Sequence, residues 1–130
     1  MDLITLGKQC VAGAMQALDD ATTEVVQRKG PTRNVQTTAD LKAENAIVSI
    51  LKKSGQKFLI VAEEGGITKI GENPGVEVYI DPLDGSSYFL TGHKRLCSTA
   101  LMFIQEGRVL ASFVGDLLTG DVYHCDGALA

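Results

Sequence analysis

The order of its periodic segments predicts an α+β domain in which two N-terminal helices pack on one face of a mostly antiparallel sheet. Apolar residues recur every three or four positions as far as Leu51, which is the spacing of amphipathic helices. Short apolar runs separated by turns follow in the rest of the chain. Because a parallel crossover needs about a dozen residues, strands joined by such short turns are expected to pair antiparallel.

The first predicted helix occupies residues 1–29, and the Gly30-Pro31 pair is expected to end it. One face of this helix would carry Leu3, Leu6, Cys10, Ala14, Leu18, Ala21 and Val25. After a short polar link, either Thr37 or Thr38 can act as the N-cap of a second helix, which Ser54-Gly55 ends. Its apolar face would carry Leu41, Ala46, Ile47, Ile50 and Leu51.

The strands are predicted from apolar runs that turn residues separate. Pro82 is expected to end the second of them, because proline cannot donate to a hydrogen-bond ladder. Glu106-Gly107 joins the third and fourth strands as a β-hairpin. The predicted strands cover residues 58–62, 76–80, 96–105, 108–115 and 121–125.

The composition is that of an ordinary globular domain. The 130 residues are 45% hydrophobic and 22% charged, with a formal net charge of −4 and no long run of Lys or Arg. This balance weighs against nucleic acid and membranes as partners. The N-terminus has no basic segment typical of a signal peptide, so a cytoplasmic location is expected. Cys10, Cys97 and Cys125 lack a Cys-x-x-Cys spacing and are expected to be reduced, buried thiols.

The sequence VYIDPLDGSS, residues 78–87, carries the clearest chemical signal. Asp81 and Asp84 are expected to emerge together at a strand tip, because Pro82, which lies between them, ends the hydrogen-bond ladder. Residues 85–87 can then open a helix or tight turn whose N–H groups face the same point. Carboxylates for a hard cation beside N–H donors for an anion suit a metal-bridged phosphate.

Three further acids lie near predicted element ends, namely Asp40 at the start of the second helix and Glu63 and Glu64 after a strand. Taken singly, Asp40 could merely stabilise the N-terminus of the helix through the helix dipole, and the two glutamates could merely belong to a solvated turn. Carboxylates that converge raise each other's pKa unless a positive charge sits among them. EEGG and DPLDGSS contain neither Lys nor Arg. A bound divalent cation is therefore the simplest source of the positive charge that these carboxylates need. These oxygen ligands suit Mg²⁺, whereas Zn²⁺ would prefer a His/Cys cluster.

Three motifs together resemble the inositol monophosphatase and fructose-1,6-bisphosphatase superfamily. TxAD at residues 37–40, AEE at residues 62–64 and IDPLDGSS at residues 80–87 occur in that family's order and at nearly its spacing. The resemblance covers most of the chain. It implies the family's fold and a direct, metal-assisted attack of water on a phosphomonoester without a covalent enzyme intermediate.

The resemblance also implies a set of metal ligands. Glu63 and Asp81, with the backbone carbonyl of Leu83, would bind a first metal, and Asp81 and Asp84 would bind a second. The implied cofactor is Mg²⁺, with Mn²⁺ as an alternative.

Other residues of the motifs would act on the substrate, a small phosphorylated molecule. By the resemblance, Asp40 and the hydroxyl of Ser86 would orient and deprotonate the attacking water, with Glu64 as a further catalytic acid. Gly85, Ser86 and Ser87 would present N–H groups to the substrate phosphate. Inositol phosphates, fructose bisphosphate and nucleotide 3′-phosphates all stay open as substrates.

A second class of phosphatase, the haloacid dehalogenases, uses a D-x-D-G-[ST] motif whose first aspartate is a covalent nucleophile. Here two residues, Pro82 and Leu83, separate the aspartates instead of one. Because side chains alternate along an extended strand, the extra residue changes which groups share a face. This spacing weighs against a covalent aspartate.

Members of the inositol monophosphatase family are considerably longer and carry a later Trp-Asp motif, whereas this chain has no tryptophan. Residues 1–130 therefore look like the N-terminal metal-binding domain without its C-terminal domain. The alternative function is a non-catalytic metal-binding half-domain that acts through a partner or an oligomer. Exposed sheet edge and apolar surface favour a homo-oligomer, a dimer or higher.

Overall fold

The computed structural model shows a six-stranded sheet with two helices on one face, and a separate two-stranded sheet. It describes residues 2–20, 25–29, 34–62, 66–85, 88–89, 92–93 and 97–127. The predicted α+β class is confirmed. No helix in this part of the chain is long and apolar enough to cross a membrane. In chain order the elements are α1 (Leu3–Asp19), β1 (Val25–Lys29), β2 (Asn34–Thr37), α2 (Thr38–Lys53), β3 (Phe58–Ala62), β4 (Gly66–Ile70), β5 (Val76–Asp84), β6 (Ser98–Gln105), β7 (Arg108–Asp116) and β8 (Val122–Asp126).

The large sheet has the strand order β4-β3-β5-β6-β7-β8. Its neighbouring strands are antiparallel except for β3 and β5, which run parallel. The expectation of antiparallel pairing is wrong for this pair because β4, which lies between the two strands in the chain, was not predicted from the sequence. The chain turns back from β3 into β4 at the sheet edge and then crosses to the other side of β3, so β4 supplies the length of the crossover.

The core lies between the two helices and the sheet. α1 packs against β6, β7 and β8, and α2 packs against α1, β3 and β5. Three phenylalanine rings contact one another in this core. The centroids of Phe58 and Phe103 are 5.7 Å apart with tilted rings, and those of Phe103 and Phe113 are 5.9 Å apart with the rings edge to face. These rings and the buried aliphatic side chains of α1 and α2 exclude water from one face of the sheet.

The first helix is shorter than predicted. Asp2 caps it by accepting a 2.8 Å hydrogen bond from the backbone N–H of Thr5, but α1 ends at Asp19 and Val25 begins β1. Acidic residues oppose the helix dipole at a C-terminus, and β-branched residues favour strands. The sequence DDATTEVV after Leu18 combines both effects, and it outweighs the apolar spacing that continues to Val25.

The second helix agrees with the prediction at both ends. α2 begins at Thr38, and Gly55 follows its last turn with φ +78°. Its deepest positions are Ala39, Asp40, Ala43, Ile47 and Leu51, whereas Leu41, Ala46 and Ile50 are half-buried. The segment before it is β2 and not a polar link.

The C-terminal strands were predicted nearly to the residue. Glu106 and Gly107 both have positive φ, as a tight two-residue β6–β7 hairpin requires. All three cysteines are free, and Cys10 and Cys97 are buried, but the expectation of burial is wrong for Cys125, which is exposed at the sheet edge. Burial raises the pKa of the Cys10 thiol to about 12.

Candidate functional site

The two aspartates of the DPLDGSS motif lie inside β5 and not beyond its end. Asp81 pairs with Ala100 of β6, and Asp84 pairs with Ser98. The expectation that Pro82 ends the strand is therefore wrong. The strand tolerates this proline because the register shifts between the two aspartates, at a point where the regular ladder is interrupted.

The register shift is a β-bulge. Two residues of β5, Pro82 and Leu83, lie opposite a single residue of β6, Thr99. All three are buried, with 3% of Leu83 and none of Thr99 exposed. The bulge therefore turns two consecutive β5 residues away from solvent.

The same bulge places both carboxylates on one side of the sheet. In a regular strand, residues three apart point to opposite faces. Ala100 and Ser98 are two apart in β6 and share a face, and directly paired residues also share a face. Asp81, which is half-buried, and Asp84, which is exposed, therefore both lie on the face away from the helices. Two carboxylates on one face offer hard oxygen ligands to a cation.

The chain turns directly after Asp84. Gly85 has φ +89°, and its carbonyl accepts hydrogen bonds from the backbone N–H groups of Tyr88 at 2.9 Å and Phe89 at 3.0 Å. This helical turn agrees with the predicted helix or tight turn. Ser86 and Ser87, which were predicted to face a phosphate, lie outside the described residues.

Two buried side chains, one just before β6 and one near its start, contact the backbone of the motif. The hydroxyl of Thr99 donates a 2.8 Å hydrogen bond to the Pro82 carbonyl, and the thiol of Cys97 lies 3.4 Å from the Gly85 carbonyl oxygen. Neither contact was predicted from the sequence. The signal available in the sequence was that Thr99, a polar residue, lies two and four residues before Leu101 and Phe103 and so shares their buried face.

Asp40 lies on a different element from the other predicted site residues. It is in the first turn of α2, the helix that packs against β5, and only 2% of it is exposed. A carboxylate at this position gains from the positive end of the helix dipole, although burial opposes its charge.

The predicted acids do not all meet in the part of the chain that can be described. Among those residues, no three His, Cys, Asp or Glu side chains converge to hold a metal ion. Asp81, Leu83, Asp84 and Gly85 are brought together at the bulge, and Asp40 does not join the aspartates in a three-ligand group. Glu63 and Glu64 lie outside the described residues.

The sheet face away from the helices is apolar and open. Val114 is 46% exposed on this face, and its cross-strand neighbour Tyr123 is 60% exposed. A shallow groove of about 370 Å³ crosses the face, with Asp81 at its wall. One row of directly paired residues across this face joins Ile67, Val61, Tyr79, Met102, Ser112 and Cys125.

Comparisons of sequence and of structure both relate the chain to known proteins of one family. The model of the inositol monophosphatase family matches residues 2–128. A relative named Nus factor SuhB, from Vibrio cholerae, is 33% identical over 109 residues, which are 83% of this chain and 39% of the relative. A fructose-1,6-bisphosphatase/inositol-1-monophosphatase from Methanothermobacter thermautotrophicus is 31% identical over 95 residues, 65% of this chain and 34% of the relative.

Solved structures share the fold. The crystal structure of the extragenic suppressor protein SuhB from Bartonella henselae superimposes with a TM-score of 0.85 at 25% identity, over 97% of this chain and 49% of that one. An IMPase from Thermotoga maritima gives a TM-score of 0.78 at 23% identity, again over 49% of its length. This chain thus spans less than half the length of each of these relatives. By the family match, its sequence relatives and its fold, the chain belongs to the inositol monophosphatase family.

Proposed function

We propose that the chain is the metal-binding part of a Mg²⁺-dependent phosphomonoesterase that acts on an inositol phosphate or a sugar (bis)phosphate. The observation that carries this proposal is the β-bulge, because it sets Asp81 and Asp84 on the same face of the sheet. Family membership supports the reaction class, and relatives named as phosphatases support the substrate class.

The residues at the bulge fit a hard divalent cation. The carboxylates of Asp81 and Asp84 and the carbonyl of Leu83 would hold it, and the family resemblance adds Glu63. All of these groups offer oxygen, which Mg²⁺ prefers, and Mn²⁺ is an alternative. When bound, such an ion neutralises phosphate charge and lowers the pKa of water, so the protein needs no covalent nucleophile.

The chain's own groups would orient water and substrate. Asp40, with the hydroxyl of Ser86, would position the attacking water and take up its proton, and Glu64 would assist as a further acid. By the family resemblance, the N–H groups of residues 85–87 would bind the phosphate. A small phosphorylated molecule in the cytoplasm is the proposed substrate.

Phosphate release tests this function. The chain is incubated with Mg²⁺ and with inositol 1-phosphate, fructose 1,6-bisphosphate or a nucleotide 3′-phosphate, and inorganic phosphate is measured. We expect hydrolysis that requires Mg²⁺ and falls on the order of 100-fold or more in Asp84→Asn, because one charged ligand is lost.

Asp126→Asn is the matched control, since Asp126 is an exposed aspartate of β8, away from the bulge. It should hydrolyse the same substrate at the wild-type rate. Wild-type chain that binds Mg²⁺ but releases no phosphate from any of these compounds would contradict catalysis by these residues alone.

A second candidate function is supported by the open sheet face. The Vibrio relative carries the name of a Nus factor and not of a phosphatase, which favours a non-catalytic role as the second candidate. We propose that the occupant of this face is a second copy of the chain. Six strands of five to nine residues, about 4.8 Å apart and rising about 3.3 Å per residue, give a face of about 650 Å². That is close to the roughly 800 Å² per partner of a stable interface, and sheets pack well face to face.

Sedimentation velocity tests this homo-oligomer. Wild type should sediment as a dimer or larger species, and Val114→Lys should shift it to a monomer, because a charge would be buried in the apolar contact. Leu118→Lys is the control, since Leu118 is 63% exposed but lies in the β7–β8 turn. A monomeric wild type at every concentration, or equal effects of the two lysines, would refute the proposed contact.

A further inference from the structure

Thr99 is a buried polar residue of β6 that contacts the backbone of the aspartate motif. It is fully inaccessible to solvent, and of the described residues only Asp40 is another buried polar or charged one. Its hydroxyl donates a hydrogen bond from β6 to the Pro82 carbonyl in the bulge of β5, with 2.8 Å between the two oxygen atoms. A buried hydroxyl with this partner is a specific contact and not a solvated side chain.

The Thr99 hydroxyl donates to the Pro82 carbonyl at the point where the regular ladder between β5 and β6 is interrupted. A proline has no N–H to exchange with the neighbouring strand, and the bulge shifts the register on its C-terminal side. A buried carbonyl that lacks its donor is strongly disfavoured. The Thr99 hydroxyl therefore favours the bulged conformation over a regular register.

The bulged conformation is also the one that sets the two aspartates side by side. In a regular register without the bulge, Asp81 and Asp84 are three residues apart and would point to opposite faces of the sheet. Thr99 thus acts on the carboxylates through the backbone, from the buried side of the sheet. Cys97, the residue just before β6, contacts the same segment through its thiol, which lies 3.4 Å from the Gly85 carbonyl oxygen and 3.6 Å from that of His93.

We propose that Thr99 is a positioning residue that fixes the geometry of the Asp81–Asp84 metal site through the Pro82 carbonyl. The inference rests on the proposed function, since it concerns the same site. Thr99 touches neither metal nor substrate in this proposal. Its hydroxyl, and not the volume of its side chain, fixes the position of the Pro82 carbonyl.

Two substitutions separate hydroxyl from volume. Thr99→Val keeps the shape and removes the hydroxyl, whereas Thr99→Ser keeps the hydroxyl and removes a methyl group. Phe58→Leu is a control for lost stability, because Phe58 is a buried ring at the opposite end of β3 from the motif. Mn²⁺ affinity is measured by calorimetric titration well below the melting temperature of every variant. Hydrogen exchange of the amides of residues 83–85 is measured without metal.

We expect Thr99→Val to bind Mn²⁺ about tenfold more weakly, the lower end of what a lost supporting contact costs a metal site. Thr99→Ser should stay within about twofold of wild type, and Phe58→Leu should bind normally despite a lower melting temperature. Amide exchange over residues 83–85 should be faster only in the valine variant.

The outcomes separate this inference from the proposed function. Equal Mn²⁺ affinity and equal exchange in wild type and Thr99→Val would overturn the role of Thr99 and leave the metal site intact. A wild-type chain that binds no Mn²⁺ would contradict the metal site, and the exchange comparison alone would then decide whether Thr99 holds the bulge. Weak binding in Thr99→Ser as well would show that volume, and not the hydroxyl, matters.

Discussion

Gly7→Ala should lower the free energy of unfolding by about 2 kcal/mol, although alanine normally stabilises a helix interior by about 1 kcal/mol relative to glycine. A Cβ atom at Gly7 of α1 would lie 2.2 Å from two ring atoms of Phe113. That ring is 1% exposed and lies between Phe103 and the stacked ring of His124, so it has no room to withdraw. The close approach of α1 to β7 therefore requires glycine here. Urea unfolding followed by circular dichroism measures the effect.

Gly13→Ala in the same helix is the matched control. Its new Cβ would meet only the terminal Cδ1 atom of the half-buried Ile50 side chain, at 2.6 Å, and that atom can move. We expect Gly13→Ala to be neutral or slightly stabilising. Combining Gly7→Ala with Phe113→Leu should cost less than the sum of the two single changes, because the smaller side chain makes room. Equal effects at the two glycines would contradict this packing of α1.

Most of the fold could be predicted from the sequence because its strands and helices follow simple periodic patterns. The β6–β7 hairpin was found from two apolar runs around Glu106-Gly107, and both ends of α2 from Thr38 and Ser54-Gly55. The errors occur where local preferences compete. α1 stops at Asp19 although the apolar spacing continues, and β4 was missed because GITKI is an exposed edge strand with little apolar patterning.

The arrangement of the site could be predicted only in part. The motif predicted that Asp81 and Asp84 emerge together at a strand tip. The pairing with β6 sets both on one face of the sheet, but the strand does not stop at Pro82. Period-two alternation alone would separate residues three apart, and only the pairing with β6 reveals the bulge that reunites them. The supporting role of Thr99 depends on the same long-range pairing, which no local pattern contains.

The roles assigned to Asp40, Glu63, Glu64, Ser86 and Ser87 stay predictions from the family resemblance. These five residues belong to different segments of the chain, and four of them lie outside the described residues. The aspartate pair is therefore the part of the proposed active site on which the structure bears most directly.

A divalent metal should stabilise the chain through this aspartate pair. An ion that binds only the folded state at about 100 times its dissociation constant adds about 2.7 kcal/mol. For a chain of this length, that corresponds to a rise in melting temperature on the order of 10 °C. Asp84→Asn removes one carboxylate from the bulge and should abolish most of the rise, whereas Asp126→Asn should retain it.

The most direct test is thermal unfolding by scanning calorimetry, with and without millimolar Mg²⁺ or Mn²⁺, on wild type and these two variants. A metal site at the bulge predicts a clear rise in melting temperature for wild type and Asp126→Asn and almost none for Asp84→Asn. No rise in wild type, or the same rise in all three proteins, would contradict it.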